Sequence, residues 1–194
     1  TLVIGYDHRL GSNVSEPQSA MISTAHELGL NIVRVEEFLV DNNIISSTKI
    51  RKMLQQTDVY DAARYLGYNY TLRGAVVSGN RLGRTMGFPT ANMQLYDPLK
   101  VVPGDGVYGV YVTVLGRRYM GITNIGVRPT VAAHGERTIE TNILGFDEDI
   151  YGLDITVEFV FKIRDEIKFA SVNELQSELE RNKALAAEKL EAGL

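Results

Sequence analysis

From Tyr70 onward, apolar and polar positions alternate with a period of two in a series of short segments. Tyr70 to Val77, Val107 to Leu115, Arg118 to Ile125, Thr138 to Leu144 and Leu153 to Ile163 are rich in Val, Ile, Thr, Tyr and Phe, and each is predicted to be a strand. Gly116-Arg117 between two of them reads as a hairpin turn. Five or six strands with no helix between them predict a closed antiparallel barrel. The pattern before Tyr68 is different. Leu2-Val3-Ile4 is a buried-strand run that ends in Gly5-Tyr6-Asp7. Glu16 to Leu28 carries Met21, Ile22, Ala25 and Leu28 on one helical face, with Gly29 as its stop. Asn31 to Phe38 then reads as a second strand. This βαβ-like piece has too few strands to close a sheet of its own. Ser46 or Ser47 starts a helix running to about Gln55, and Asp58 caps another running to Leu66, with Gly67 as its stop. The last segment, Ser171 to Leu190, has helical spacing, with Leu175, Leu179, Leu185 and Leu190 as packing residues. The class is α+β overall.

Composition narrows this picture without redirecting it. The 194 residues suffice for one large domain, or for one domain and part of another. With 44% hydrophobic and 23% charged residues the chain falls in the ordinary globular range. It contains no cysteine, which removes disulfides and thiolate metal sites and agrees with a cytoplasmic setting. No apolar run has the length of a membrane span, and no signal peptide is visible behind Thr1. A net charge of −4 argues against nucleic acid as a partner. Charge is unevenly spread, however. Thr71 to Arg84 holds Arg73, Arg81 and Arg84 and no acid, so a local anion site fits inside an acidic protein.

That stretch runs into the most chemically specific segment, Gly79 to Asn92 (GNRLGRTMGFPTAN). Gly79, Gly83 and Gly87 allow tight turns and close approach of backbone to ligand. Arg81 and Arg84 supply charged donors for phosphate oxygens. Thr90 and Asn92 offer hard oxygens of the kind a magnesium-bound phosphate accepts. There is no Gly-Lys-Ser or Gly-Lys-Thr, so this is not a Walker A loop. Taken without its Gly-Arg lead-in, Pro89-Thr90 would be a loop end with Thr90 capping local backbone. Downstream, alternation along Thr138 to Leu144 sets Ile139, Thr141 and Ile143 on one face and Glu140 on the other. Glu140 is then either a solvated strand residue or an acceptor for a hydroxyl proton. Asn124, Arg128, Pro129 and Thr130 are read as a second loop at a strand end. His8, His26 and His134 have no metal-ligand spacing.

Four motifs, RLGRTMGFPTAN (Arg81 to Asn92), NIGVRPT (Asn124 to Thr130), TIETNILGFDEDIYG (Thr138 to Gly152) and FKIRDEIKF (Phe161 to Phe169), resemble the riboflavin kinase domain in order and spacing. GYDHRLG (Gly5 to Gly11) and ISSTKIR (Ile45 to Arg51) resemble the second half of the FMN adenylyltransferase domain that precedes it in bacterial bifunctional FAD synthetases. The resemblance implies a six-stranded Greek-key-like barrel with a C-terminal helix at 68–194. It implies a partial Rossmann-like nucleotidyltransferase segment with connector helices at 1–67. The implied activity is transfer of the ATP γ-phosphate to riboflavin, giving FMN, with Mg²⁺ accompanying ATP. By the resemblance, Glu140 is the catalytic base and Thr90, helped by Asn92, holds the metal. Gly79, Arg81, Gly83, Arg84, Gly87, Pro89, Asn124, Arg128 and Arg164 complete the set expected to bind nucleotide or flavin. A longer parent would also form FAD, whereas this chain lacks the family's His-x-x-His motif and is not expected to. Two positions depart from the family pattern: Asn142 stands where His is frequent, and Asn182 where the last helix usually carries Asp. The rival reading is a non-catalytic barrel that binds flavin or nucleotide.

Overall fold

The computed structural model describes residues 1–7, 17–79, 87–127 and 137–193. Arg81, Gly83, Arg84 and Arg128 therefore lie outside the described residues. The chain divides into two units, Thr1–Ser46 and Ser47–Leu194.

In the first unit β1 (Leu2–Gly5) pairs in parallel with β2 (Ile32–Val35), and α1 (Gln18–Glu27) connects them. A two-residue hairpin pair follows, β3 (Leu39–Val40) and β4 (Asn43–Ile44). The second strand is shorter than the Asn31–Phe38 run suggests. Asp41 and Asn42 both take positive φ and turn the chain back immediately after Val40. Val3, Val33, Val35 and Phe38 remain exposed.

The second unit begins with α2 (Ser47–Gln55) and α3 (Val59–Leu66). Both ends of α3 are as expected: the Asp58 carboxylate accepts from the Asp61 N–H at 3.2 Å, and Gly67 closes the helix at φ 78°. The helical pair, grouped with the first segment on sequence, packs within the barrel unit. Val59 and Ala62 are fully buried, α3 lies against the barrel, and Lys162 Nζ donates to Thr57 Oγ1 at 2.8 Å.

Six strands then close the barrel: β5 (Tyr70–Val77), β6 (Ala91–Leu95), β7 (Gly106–Val114), β8 (Arg117–Val127), β9 (Arg137–Ile143) and β10 (Asp154–Arg164). Their order is β10-β5-β6-β9-β8-β7, with β10 closing onto both β5 and β7. All pairs are antiparallel, and the β6–β9, β5–β10 and β7–β10 neighbours join strands that are not consecutive in the chain. Leu72, Val110, Val112, Ile125, Val157 and Phe159 fill the interior and are inaccessible to solvent or nearly so. Tyr108 meets Phe159 edge-to-face at 5.3 Å. Thr123 and Thr141, both fully buried, satisfy each other through a 2.8 Å hydroxyl–hydroxyl bond.

Three sequence readings need correcting. The hairpin turn is Leu115-Gly116, both at positive φ, since Val114 pairs with Arg117 and leaves two residues to turn. Ala91 and Asn92 belong to β6 rather than to the preceding loop. Asn124 lies inside β8, not in a strand-end loop.

The C-terminal helix α4 (Val172–Glu191) is capped by Ser171, whose hydroxyl accepts from the Glu174 N–H at 3.2 Å. It covers β8, β7 and β10. Ala186 and Leu190 pack on Val107, Ile122, Val160 and Phe161. Leu185 is only half-buried, and the helix's third fully enclosed side chain is Asn182.

Candidate active site

Strand β9 supplies the centre of the site. Ile139, Thr141 and Ile143 face the core, at 5%, 0% and 6% exposure, so Glu140 and Asn142 must project from the outer face. The register extends this into a row around the barrel. Val77 pairs with Asn92, Asn92 with Glu140, Glu140 with Asn124, Asn124 with Val107, and Val107 with Arg164. One residue from every strand is present, and four of the six were singled out on sequence. Arg164 joins the row because β10 carries register shifts between Phe159 and Phe161 and between Lys162 and Arg164.

A cavity of about 240 Å³ lies beside this row, between the barrel, α4 and the segment after β10. Thr90, Asn124, Glu140, Asn142, Arg164, Glu166 and Asn182 are its polar walls. Phe88, Ile122, Phe169, Leu175 and Leu179 are its apolar ones. The two leucines expected to pack α4 thus line this cavity instead. The Arg164 guanidinium lies 5.6 Å from the centre of the Phe169 ring, and its Nε is 3.2 Å from Glu178 Oε1. Asn124 Nδ2 donates to Glu166 Oε1 at 3.3 Å, and Thr138 Oγ1 reaches Glu140 Oε1 at 3.5 Å. Asn182 is 3% exposed, and its Nδ2 has no hydrogen-bond partner among the described residues.

A second cavity, of about 310 Å³, is bounded by Val76, Pro89, Thr90, Ala91 and Thr141 on the strand side and by the Phe146–Tyr151 segment on the other. Thr90 is common to both cavities. Thr90 therefore stands at their junction, and it lines the first cavity together with Glu140.

The remaining nucleotide-loop positions differ in placement. Gly87, at φ 79°, turns the chain into Phe88, and Gly79 is where Asn92 rests: a Cβ there would fall 2.1 Å from Asn92 Nδ2. Gly79, Gly87 and Asn92 line neither cavity. Among the described residues no three His, Asp or Glu are grouped so that they could hold a metal ion, so a cation here would rely on neutral oxygens and on its own ligand's anionic groups. The Thr90 hydroxyl and the Asn92 amide are compatible with that. Sequence reasoning did not select Phe88, Glu166 or the acidic run Asp147–Asp149. Their only signal was membership of the quoted motifs.

No described helix is long and apolar enough to cross a membrane. Over 93% of its length the chain is 37% identical to a Haemophilus influenzae protein named bifunctional riboflavin kinase/FMN adenylyltransferase. It is 40% identical over 77% of its length to the Bacillus subtilis protein of the same name. It spans 58% and 48% of those relatives. A crystal structure from Streptococcus pneumoniae, described as a macrolide-efflux protein, matches 95% of this chain and 60% of its own with a TM-score of 0.82 and 33% identity. Residues 66–190 match the Flavokinase family, riboflavin kinase, and that span takes in the whole barrel, nearly all of α4 and both cavities. The chain therefore belongs to the riboflavin kinase family.

Proposed function

We propose that this chain transfers the γ-phosphate of ATP to the ribityl 5′-hydroxyl of riboflavin, forming FMN and ADP. The observation that carries the reading is the placement of Thr90 and Glu140 on one enclosure, with Thr90 also opening onto a second. Phosphoryl transfer needs an acceptor hydroxyl and a phosphate brought into line, with charge neutralised around them. Two cavities that share one wall meet that need.

The cavity walled by Phe88, Phe169, Leu175 and Leu179 suits the flavin ring. Asn182 offers an unused N–H to a ring carbonyl. Riboflavin so placed directs its ribityl chain toward Glu140. The second cavity takes the nucleotide. Carboxylates repel a triphosphate but accept from ribose hydroxyls and amine N–H groups. Asp147–Asp149 therefore belong with the nucleoside, and the phosphates with Thr90. Glu140 takes the hydroxyl proton as the new O–P bond forms and the bond from Pγ to the bridging oxygen breaks. Thr90, with Asn92, would hold magnesium, which when bound neutralises the phosphates. Arg81, Gly83, Arg84 and Arg128 are assigned to the nucleotide by resemblance alone.

The test is incubation of this chain with riboflavin and Mg·ATP and separation of the flavins. FMN and ADP should appear one to one, without FAD. Riboflavin binding with no FMN formed would favour a barrel that binds without catalysing.

A further inference from the structure

Strand β6 meets β9 through only two pairs, Ala91 with Thr141 and Asn92 with Glu140. Continued by one step, the register would set Thr90 against Asn142. The ladder ends there, because Pro89 has no N–H with which to extend it. Asn142 takes over at this point: its Nδ2 donates to the Pro89 carbonyl at 2.7 Å. A carbonyl can only accept, so the amide nitrogen must be the atom facing it. Asn142 is also two residues from Glu140 on the same face of β9, and both line the first cavity.

We infer that Asn142 is a positioning residue that fixes Thr90 relative to Glu140. One strand carries the proton acceptor, and two residues on it carries the clamp that holds the peptide bearing the threonine. The distance between cation ligand and base is then set by the rigid β9 backbone and not by the loop alone. The role rests on the proposed kinase reading. A His at this position could meet the same requirement, since either side chain can donate one N–H to a carbonyl.

The test compares Asn142→Ala and Asn142→His with the parent chain. Three quantities are read: the Kd of ADP with magnesium by calorimetry, the Kd of riboflavin by fluorescence quenching, and turnover. Loss of the clamp should weaken Mg·ADP by roughly three- to tenfold, the range of one net hydrogen bond. Turnover should fall by on the order of tenfold or more, since small misplacement of reacting groups is costly. Riboflavin affinity should change less than that of Mg·ADP, Tm should fall by no more than a few degrees, and Asn142→His should recover Mg·ADP binding. If Asn142→Ala leaves both Mg·ADP affinity and turnover within about twofold, or shifts riboflavin affinity and Tm equally, the positioning role is wrong. Absence of FMN formation by the parent chain would instead overturn the kinase reading.

Discussion

Replacing Glu140 by Gln separates chemistry from structure in this molecule. The substitution keeps the side-chain volume and an acceptor oxygen, and removes only the charge that can take up a proton. Its structural consequence is bounded by β9, where Glu140 is paired on both sides, with Asn92 and with Asn124. That backbone pairing does not depend on the side chain. The Glu140 side chain lies outside the packed core formed by Ile139, Thr141 and Ile143. A change there should alter stability by about 0.5 kcal/mol or less. Loss of a general base lowers turnover by roughly 10²- to 10⁴-fold, or about 2.7–5.5 kcal/mol of barrier at about 1.36 kcal/mol per decade. The catalytic effect thus exceeds the structural one by at least about fivefold in free energy, and the two are separable in a single experiment. Turnover is followed as FMN formation under saturating riboflavin and Mg·ATP, with thermal unfolding and riboflavin fluorescence quenching run on the same preparations. Turnover should fall at least a hundredfold with Tm and riboflavin affinity unchanged. Turnover within about threefold of the parent, at normal affinity, would remove Glu140 from the role of base and leave the shared enclosure without its chemical rationale.

Other parts of the molecule are open to equally direct tests. In Gly74→Ala the new Cβ would stand 2.1 Å from the Gln94 backbone carbonyl, which the β5–β6 ladder holds in place, so stability should drop by about 3 kcal/mol and Tm by roughly 6–12 °C; an unchanged Tm would mean the two strands can separate there. Asn182→Leu removes a buried N–H that lacks a partner among the described residues, so calorimetry should show the ligand-free protein more stable by about 1 kcal/mol and riboflavin bound several-fold more weakly; a fall in Tm would contradict the first half. Burial, reinforced by the neighbouring Tyr68, pushes the Tyr70 hydroxyl from 10.0 up to about 12 while it donates to the Val101 carbonyl at 2.7 Å. Above pH 10 the unfolded chain therefore ionises before the folded one: stability is fully present below that pH and falls as pH rises toward about 12. Urea titrations across this window should show a shallower decline for Tyr70→Phe, with residual slope from Tyr108, also raised by burial, and from Tyr96, raised by its hydrogen bond to Asp154; identical slopes would exclude Tyr70.

Much of the local structure was legible because it depends on neighbours in sequence. Asp58, Gly67 and Ser171 act at the ends of α3 and α4 through bonds spanning three or four residues. The outward placement of Glu140 follows from the pleat alone. What escaped notice was short or ambiguous. Strand β6 has five residues, two of them polar, and follows directly on a glycine-rich loop, so Asn92 reads as loop. Asn124 is flanked by the glycines and proline of a turn-like motif, yet β8 runs three residues beyond it. Asn142 and Asn182 stood out only as departures from a pattern. One proves to bond a proline carbonyl and the other to be a buried donor without a partner among the described residues.

The sequence by itself determined five of the barrel's six strands, the ends of α3 and α4 and the family, and it singled out Thr90 and Glu140 as candidates, because periodicity, capping and motif spacing are local properties. Only the tertiary structure decided that Asn92, Glu140, Asn124 and Arg164 fall on one row, and that Thr90 is shared by two cavities. Those facts depend on strand order, on register and on the shifts in β10. Each is set by how distant segments bury their apolar faces against one another, which no short window of sequence contains.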